Sequence, residues 1–202
     1  GGYIDQLGYP YCRGRIFDTI EVDHGQYNDQ KDIFWASGAC LFIRTKSFKR
    51  LEGFDTTFFA HMEEIDLCWR AQNNGFTVTY VGESTVYHVG AASLKTSNPK
   101  KTYLNFRNSL YTLVKNTHKP VGLVVILRLT LDGFAGLRFF LQGKPKHLIA
   151  IIKAHGSFYK AAPRLLKFRR QHSIKKTHNQ LLSIVWSYFV RNKKVFNKLL
   201  KM

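Results

Sequence analysis

Twelve of the thirteen carboxylates in this sequence lie before residue 95, and 23 of its 31 lysines and arginines lie after residue 94. Net charge steps from −4 over residues 1–94 (8 basic, 12 acidic) to +22 over residues 95–202 (23 basic, one acidic), which together give the chain's +18. A step of that size marks two functional regions meeting near Leu94. The second region cannot neutralise its cations from within, because Asp132 is its only acid. It favours a polyanion as partner, either anionic lipid head groups or nucleic acid.

Other features narrow the class. A hydrophobic content of 45% is enough for a real core and argues against disorder. Cys12, Cys40 and Cys68 are far apart with no CxxC pair, which argues against a disulfide framework or zinc ribbon and for buried thiols. The opening GGYIDQLGYPYCRGR has no basic-then-apolar signal peptide. It lacks an initiator Met and reads as the later part of a longer chain. Walker, Rossmann, HExxH and GxSxG motifs are absent, as are repeats.

Residues 1–32 are rich in turn formers and predict irregular backbone with a short strand near Arg15–Ile20. Arg13 and Arg15 flank Gly14, where arginine forks could hold a phosphate or could simply be solvated. From Trp35 the chain runs WASGACLFIR. Cys40–Ile43 predicts a buried strand. Gly38 would admit the close approach of a ligand or of a neighbouring strand. Thr45 should cap a short helix over Lys46–Glu52, stopped by Gly53. A second helix follows over 61–74, with Ile65, Cys68, Trp69 and Gln72 on one stripe and Gly75 as its left-handed cap. Phe76–Val81 and Thr85–His88 predict two strands. The first region is therefore α/β, with too few strands for a complete doubly wound sheet.

The second region is helical. Asn98 and Pro99 start a helix reaching about Lys115, with Leu104, Leu110, Leu113 and Val114 on its apolar face. Val121–Leu141 has the ~20 residues a bilayer span needs. Arg128, Asp132 and Arg138 interrupt it, each costing ~3 kcal/mol at a membrane centre. A helix lying on the membrane surface fits better than a spanning one. Further helices are predicted at Pro145–Tyr159, Pro163–Gln171 and His178–Val190. Their mixture of Leu, Ile and aromatics with Lys and Arg suits an anionic membrane surface or an ordinary solvated basic domain.

Three acids, Glu63, Glu64 and Asp66, crowd the start of the second helix. Their mutual repulsion raises their pKa values and the helix N-terminus lowers them. Such a cluster can hold a general base for a hydroxyl nucleophile, or can merely cap a solvated helix end. Glu63 and Asp66 are three apart and share a face, whereas Glu64 points elsewhere. His88 could ligate a metal or touch a diphosphate, although a lone histidine usually does neither.

The succession SGACLFIR, LEGFD, FF, EEIDLCWR, Gly75 and VYHVG resembles the C-terminal half of family 2 glycosyltransferases, most closely bacterial rhamnosyltransferase-like members. The match covers roughly residues 1–95. The tail to about residue 170, with Asn105-Phe106-Arg107-Asn108, is also similar. The resemblance implies the C-terminal half of a GT-A fold over 1–94, followed by an all-α basic tail over 95–202. It implies an inverting transfer from a nucleotide-diphosphate sugar to a hydroxyl of a polysaccharide or lipid-linked acceptor at the inner face of the cell membrane. Glu64 takes the base position, with Glu in place of the family's usual Asp, and Glu63 or Asp66 orients the base or binds acceptor hydroxyls. Ser37, Gly38 and Ala39 fall at the donor-sugar and acceptor site; beside the resemblance, Trp35 and the arginine forks Arg13 and Arg15 are candidate substrate contacts. His88 falls where a ligand to Mg or Mn, or to the diphosphate, can sit, and Trp69 and Arg70 are structural. The family's Asp-rich nucleotide motif has no counterpart here, so most of the divalent-cation site is expected outside this sequence. The competing expectations are a nucleic-acid-binding module carried by the basic half and a non-catalytic scaffold.

Overall fold

A computed structural model of the chain describes residues 1–88, 98–172, 174 and 181–200. It is a mixed α/β structure. Residues 1–20 form an antiparallel meander of β1 (Gly2–Ile4), β2 (Pro10–Cys12), β3 (Arg15–Ile16) and β4 (Thr19–Ile20). The single strand expected at Arg15–Ile20 is thus a tight hairpin, reversed at Phe17 with φ +49°. β5 (Gln30–Ile33) pairs antiparallel with β6 (Val78–Val81), Ile33 opposite Val78 and Gln30 opposite Val81.

Two helices lie between them, α1 (Thr45–Arg50) and α2 (Glu63–Asn73). Thr45 is the first residue of α1 rather than its cap, which is Arg44 with no side-chain bond. Gly53 (φ +63°) and Gly75 (φ +85°) end the two helices in the left-handed conformation, which costs glycine no Cβ clash. The expected apolar stripe of α2 is inward: Ile65, Cys68 and Trp69 are buried, and Trp69 meets the Phe34 ring edge-on at 5.2 Å.

Two expected strands are not strands. Gly38–Cys40 forms a 3-10 turn capped by the Ser37 hydroxyl, and Leu41–Arg44 runs on without a ladder partner. Leu41 alone turns inward, towards Leu51, Leu67 and Ala71, while Phe42 is 90% exposed. Hydrophobicity makes a segment able to join a sheet, but it becomes a strand only where a neighbouring strand takes up its N–H and C=O groups; exposed backbone can bond water instead. Residues 85–88 are likewise exposed and irregular, and Val89 and Gly90 lie outside the described residues.

The second half is built on α3 (Pro99–Asn116), α4 (Val121–Leu141) and α5 (Pro145–Gln171), closed by α6 (Ile184–Phe189) and α7 (Phe196–Leu200). Asn98 caps α3 by accepting the Lys100 N–H at 2.9 Å, and Leu104, Leu110, Leu113 and Val114 are buried as their spacing predicts. α5 continues through Pro163, where two helices were expected. Pro163 is on the exposed side, so the carbonyl its missing N–H leaves free can bond water. Of the helix expected over His178–Val190, 184–189 is helical and 178–180 lies outside the described residues.

The main core crosses the charge step. Ile4, Phe34, Phe58, Met62, Ile65 and Trp69 pack with Leu110, Leu113, Val114, Val124, Phe158 and Leu165. A second cluster lays α6 and α7 over the N-terminal meander, Ile16 packing with Ile184, Tyr188 and Phe196.

Charges inside α4 do structural work. Arg128 donates to Asp132 (2.9 Å), the Leu7 carbonyl (3.1 Å) and the Ser109 hydroxyl (2.6 Å), and Tyr9 donates its hydroxyl to Asp132 at 2.6 Å. Both Arg128 and Asp132 are buried, and the Arg128 guanidinium lies 3.6 Å from the Tyr9 ring centroid. These residues pin α4 to the N-terminal hairpin. No helix among the described residues is long and apolar enough to cross a membrane.

Candidate active site

The site is the start of α2 and the loop that delivers it. Asp55 caps a 3-10 turn at Thr56–Phe58, accepting the Thr57 N–H at 3.0 Å and its hydroxyl at 2.6 Å. The chain then places Phe59 (φ +64°), His61 (φ +68°) and Met62 (φ +74°) at positive φ, three of four consecutive non-glycine residues. Each costs ~1–3 kcal/mol and persists only where surrounding contacts over-determine it.

The contacts come from α3. Asn108, fully buried, directs its side-chain amide nitrogen at the carbonyls of Phe58 (3.0 Å), Ala60 (2.8 Å) and His61 (2.8 Å). Arg107 donates to the carbonyls of Thr57 (3.1 Å) and Phe58 (2.9 Å), and its Nε steadies the Asn108 amide oxygen at 2.8 Å. A strained loop is thereby held rigid, and Glu63 and Glu64 follow it directly.

Glu64 is half-buried, with one carboxylate oxygen sealed from solvent and without a hydrogen-bond partner. Burial pushes its carboxyl up to about 7, with the neighbouring Glu63 charge adding to the effect and backbone N–H groups opposing it. Glu63 also has one sealed oxygen without a partner. The Glu64 charge is felt at two thiols. Burial lifts Cys68 to about 11, with an Ala36 backbone hydrogen bond opposing and Glu64 reinforcing. Burial also lifts Cys12, against the N-terminal amino group and Arg15, with Glu64 again reinforcing. Glu64 is thus within electrostatic reach of Cys12 on β2 and of Cys68 one turn on in α2, and it is Cys68 that bonds the Ala36 backbone.

The turn at Ser37–Ala39 is anchored from one side and open on the other. Trp35 is half-buried and donates its indole N–H to the Tyr3 carbonyl at 2.8 Å, and Gln72 donates to the Phe34 carbonyl at 2.7 Å. Ser37, Gly38 and Ala39 are exposed, and a Cβ placed on Gly38 would meet no atom within 4 Å. Among the described residues no strand packs on Gly38, and the space beside it is open.

The other expected site residues lie elsewhere or are engaged. Asp66 is fully buried and turned from Glu63: Arg70 (2.8 Å), Lys115 (3.0 Å) and Asn116 (2.8 Å) all donate to it. Lys115 in turn reaches Asp55 at 2.8 Å, so the cluster ties α2, α3 and the loop together. Both oxygens of Asp66 are engaged in this network, so the residue expected to share a face with Glu63 and to orient the base or bind acceptor hydroxyls serves the core instead. Arg13 is buried and grips Asp29 through both terminal nitrogens, with the Tyr27 and Tyr80 rings at 4.8 and 5.0 Å, and so is not free for a phosphate. Arg15 is exposed on β3. His88 is exposed, and no group of three His, Cys, Asp or Glu side chains among the described residues could hold a metal ion.

Sequence reasoning missed Asn108, Arg107 and His61. His61 is half-buried beside Glu63 with an unpartnered Nε2, and burial and Lys101 lower its pKa against Glu63. The NFRN run was visible as a family likeness, but nothing local reveals that its amide reaches back 47–50 residues.

The chain is 31% identical over 142 residues to N-acetylglucosaminyl-diphospho-decaprenol L-rhamnosyltransferase of Mycobacterium tuberculosis, covering 70% of this chain and 45% of that protein. It is similar to glycosyltransferases. Rhamnosyltransferase WbbL of Escherichia coli is 38% identical over 49 residues, 24% of this chain and 19% of that protein. Low-salt glycan biosynthesis hexosyltransferase Agl10 of Haloferax volcanii is 20% identical over 149 residues, 71% of this chain and 48% of that protein. The match to the mycobacterial and haloarchaeal glycosyltransferases spans about half of their length. No protein-family model matches the chain, and no solved structure matches it.

Proposed function

We propose that this chain forms the acceptor-side part of an inverting glycosyltransferase of GT-A fold. Glu64 is its general base. It takes the proton of an acceptor hydroxyl as that oxygen bonds to the anomeric carbon of a nucleotide-diphosphate sugar. The bond from that carbon to the diphosphate breaks, and the electron pair leaves with the diphosphate. The observation that carries this is the Glu64 carboxyl: poorly solvated, with one oxygen unpartnered, raised to about 7 and set directly after a clamped loop. A base with its pKa near the working pH is well matched to proton abstraction. Glu63 and His61 flank it as groups for acceptor hydroxyls, and the open side of Ser37–Ala39 offers room for a sugar. The mycobacterial relative's name supports a sugar on a polyprenyl diphosphate as acceptor, and the reaction proposed here runs at the inner face of the membrane. The described residues do not form a metal site, so no proposed step runs through a cation held by them.

The test is transfer by the protein that carries this sequence, from UDP-, GDP- and dTDP-sugars to polyprenyl-diphospho-N-acetylglucosamine, with the new linkage read by NMR. An inverted anomeric centre is expected. Retention would overturn the single displacement, and no transfer from any donor would overturn the transferase assignment. Gly38→Val adds a check on the pocket. It should leave stability within ~0.5 kcal/mol, as an exposed position with free space does. Transfer should nevertheless fall about tenfold or more, because the added methyls occupy the space assigned to the sugar. Undiminished transfer would move the sugar away from this turn.

A further inference from the structure

Helix α4 is inside out. Its buried stripe is Val124, Arg128, Asp132 and Gly136, and the opposite stripe is Leu123, Ile126, Leu127, Phe134, Leu137 and Leu141. Phe134 is 65% exposed and Leu141 77%. Within that stripe Thr130 spends its hydroxyl on the Ile126 carbonyl at 3.0 Å, and the exposed Arg138 borders it with its guanidinium 4.8 Å from the Phe189 ring. At 1.5 Å per residue the stripe is ~27 Å long. An exposed, largely apolar face of this length marks an interaction site.

Charge decides the partner. Asp132 is the only acid after residue 94, and it is buried, so the surface of this half presents cations without any exposed carboxylate among the described residues. A second copy would set two such surfaces against each other, and their like charges repel. An anionic bilayer offers a hydrocarbon layer for the stripe and phosphates for the lysines at once. Lys119 precedes the stripe and the exposed Lys144 and Lys146 follow it, placing cations at both ends.

We infer that the outward face of α4 docks the protein on an anionic phospholipid bilayer, lying in the plane of the interface. This adds to the transferase assignment the surface that keeps the protein beside a lipid-linked acceptor. The two are separable, because lipid binding needs no nucleotide sugar.

The experiment is flotation of the full protein with vesicles of phosphatidylcholine alone or mixed with phosphatidylglycerol. The protein should float with the mixed vesicles and stay behind with phosphatidylcholine. The double variant Phe134→Ser/Leu137→Ser should bind the mixed vesicles about tenfold or more weakly, since each lost side chain removes buried apolar area. Its melting temperature should not change, because both positions are exposed. Lys144→Glu/Lys146→Glu should weaken binding less and make it less sensitive to salt. Binding of the double serine variant equal to the parent's would assign the attraction to charge alone and overturn the inference. Absence of binding by the parent would overturn it too, as would a serine variant that turns a dimer into a monomer in sedimentation velocity, which would make the face an interface between copies.

Discussion

Glu64→Gln should lower kcat for sugar transfer by roughly 10²–10⁴-fold, the usual contribution of a general base, while leaving nucleotide-sugar binding unchanged. The amide keeps the shape of the side chain and cannot accept the hydroxyl proton. In the parent protein the rate should rise with pH through about 7 as the Glu64 carboxyl ionises. The same substitution should act on stability in the opposite direction. The Glu64 carboxyl is raised in the fold from 4.5 to about 7, so the folded chain holds that proton more tightly than the unfolded chain does. The resulting stabilisation is full below pH 4.5 and is lost as pH rises through about 7. Gln escapes that loss. The variant should match the parent near pH 4 and exceed it above pH 7, by ~1–3 kcal/mol in urea unfolding. Normal transfer by the variant would move the base elsewhere; a stability gain that does not depend on pH would show that this carboxyl is not held out of water.

Lys115→Met should be the most damaging change to the fold, by ~3–5 kcal/mol, because it removes the cation shared by Asp55 and Asp66 and leaves their charges undercompensated. For a chain of this size that is a drop of ~10 °C in Tm. The Lys115 side chain is 1% exposed and touches both carboxylates, at 2.8 and 3.0 Å. The loss should shrink in acid. Burial pushes the Asp55 carboxyl up, but Lys115 and Thr57 together outweigh it and hold it at about 2, below its usual 3.8. The stabilisation this gives is present above pH 3.8 and disappears as pH falls through about 2. The parent therefore loses stability in that window and the variant does not, so their unfolding midpoints should converge. A gap that stays constant from pH 6 down to 2 would mean that the cost is packing alone.

What could be read from the sequence was local. α4 has the bounds its apolar run predicts, Asn98 caps α3, Gly75 ends α2, and Ile65, Cys68 and Trp69 turn inward. Each follows from spacing or from one residue's preferred backbone. The acids show where that logic stops. Spacing of three puts Glu63 and Asp66 on one face, but Asp66 is drawn inward by Lys115 and Asn116, 49 and 50 residues away. No local rule carries that information. Cys40–Ile43 has a strand's composition and no strand to pair with, and Pro163 interrupts a helix in sequence but not in space because it faces water. Glu64 is proposed as base from family likeness; its poor solvation and its one unpartnered oxygen are visible only with the surrounding residues in place.

The Asn108 amide bears on how this protein could be re-engineered. A chimera that swaps residues 1–94 for those of a relative, to change which sugar is used, would bring a new loop but keep the old α3. The backbone ahead of the acids would then be gripped by an asparagine and an arginine fitted to a different path. Exchanges should therefore carry residues 107 and 108 along with the loop, with the graft junction placed beyond them in α3.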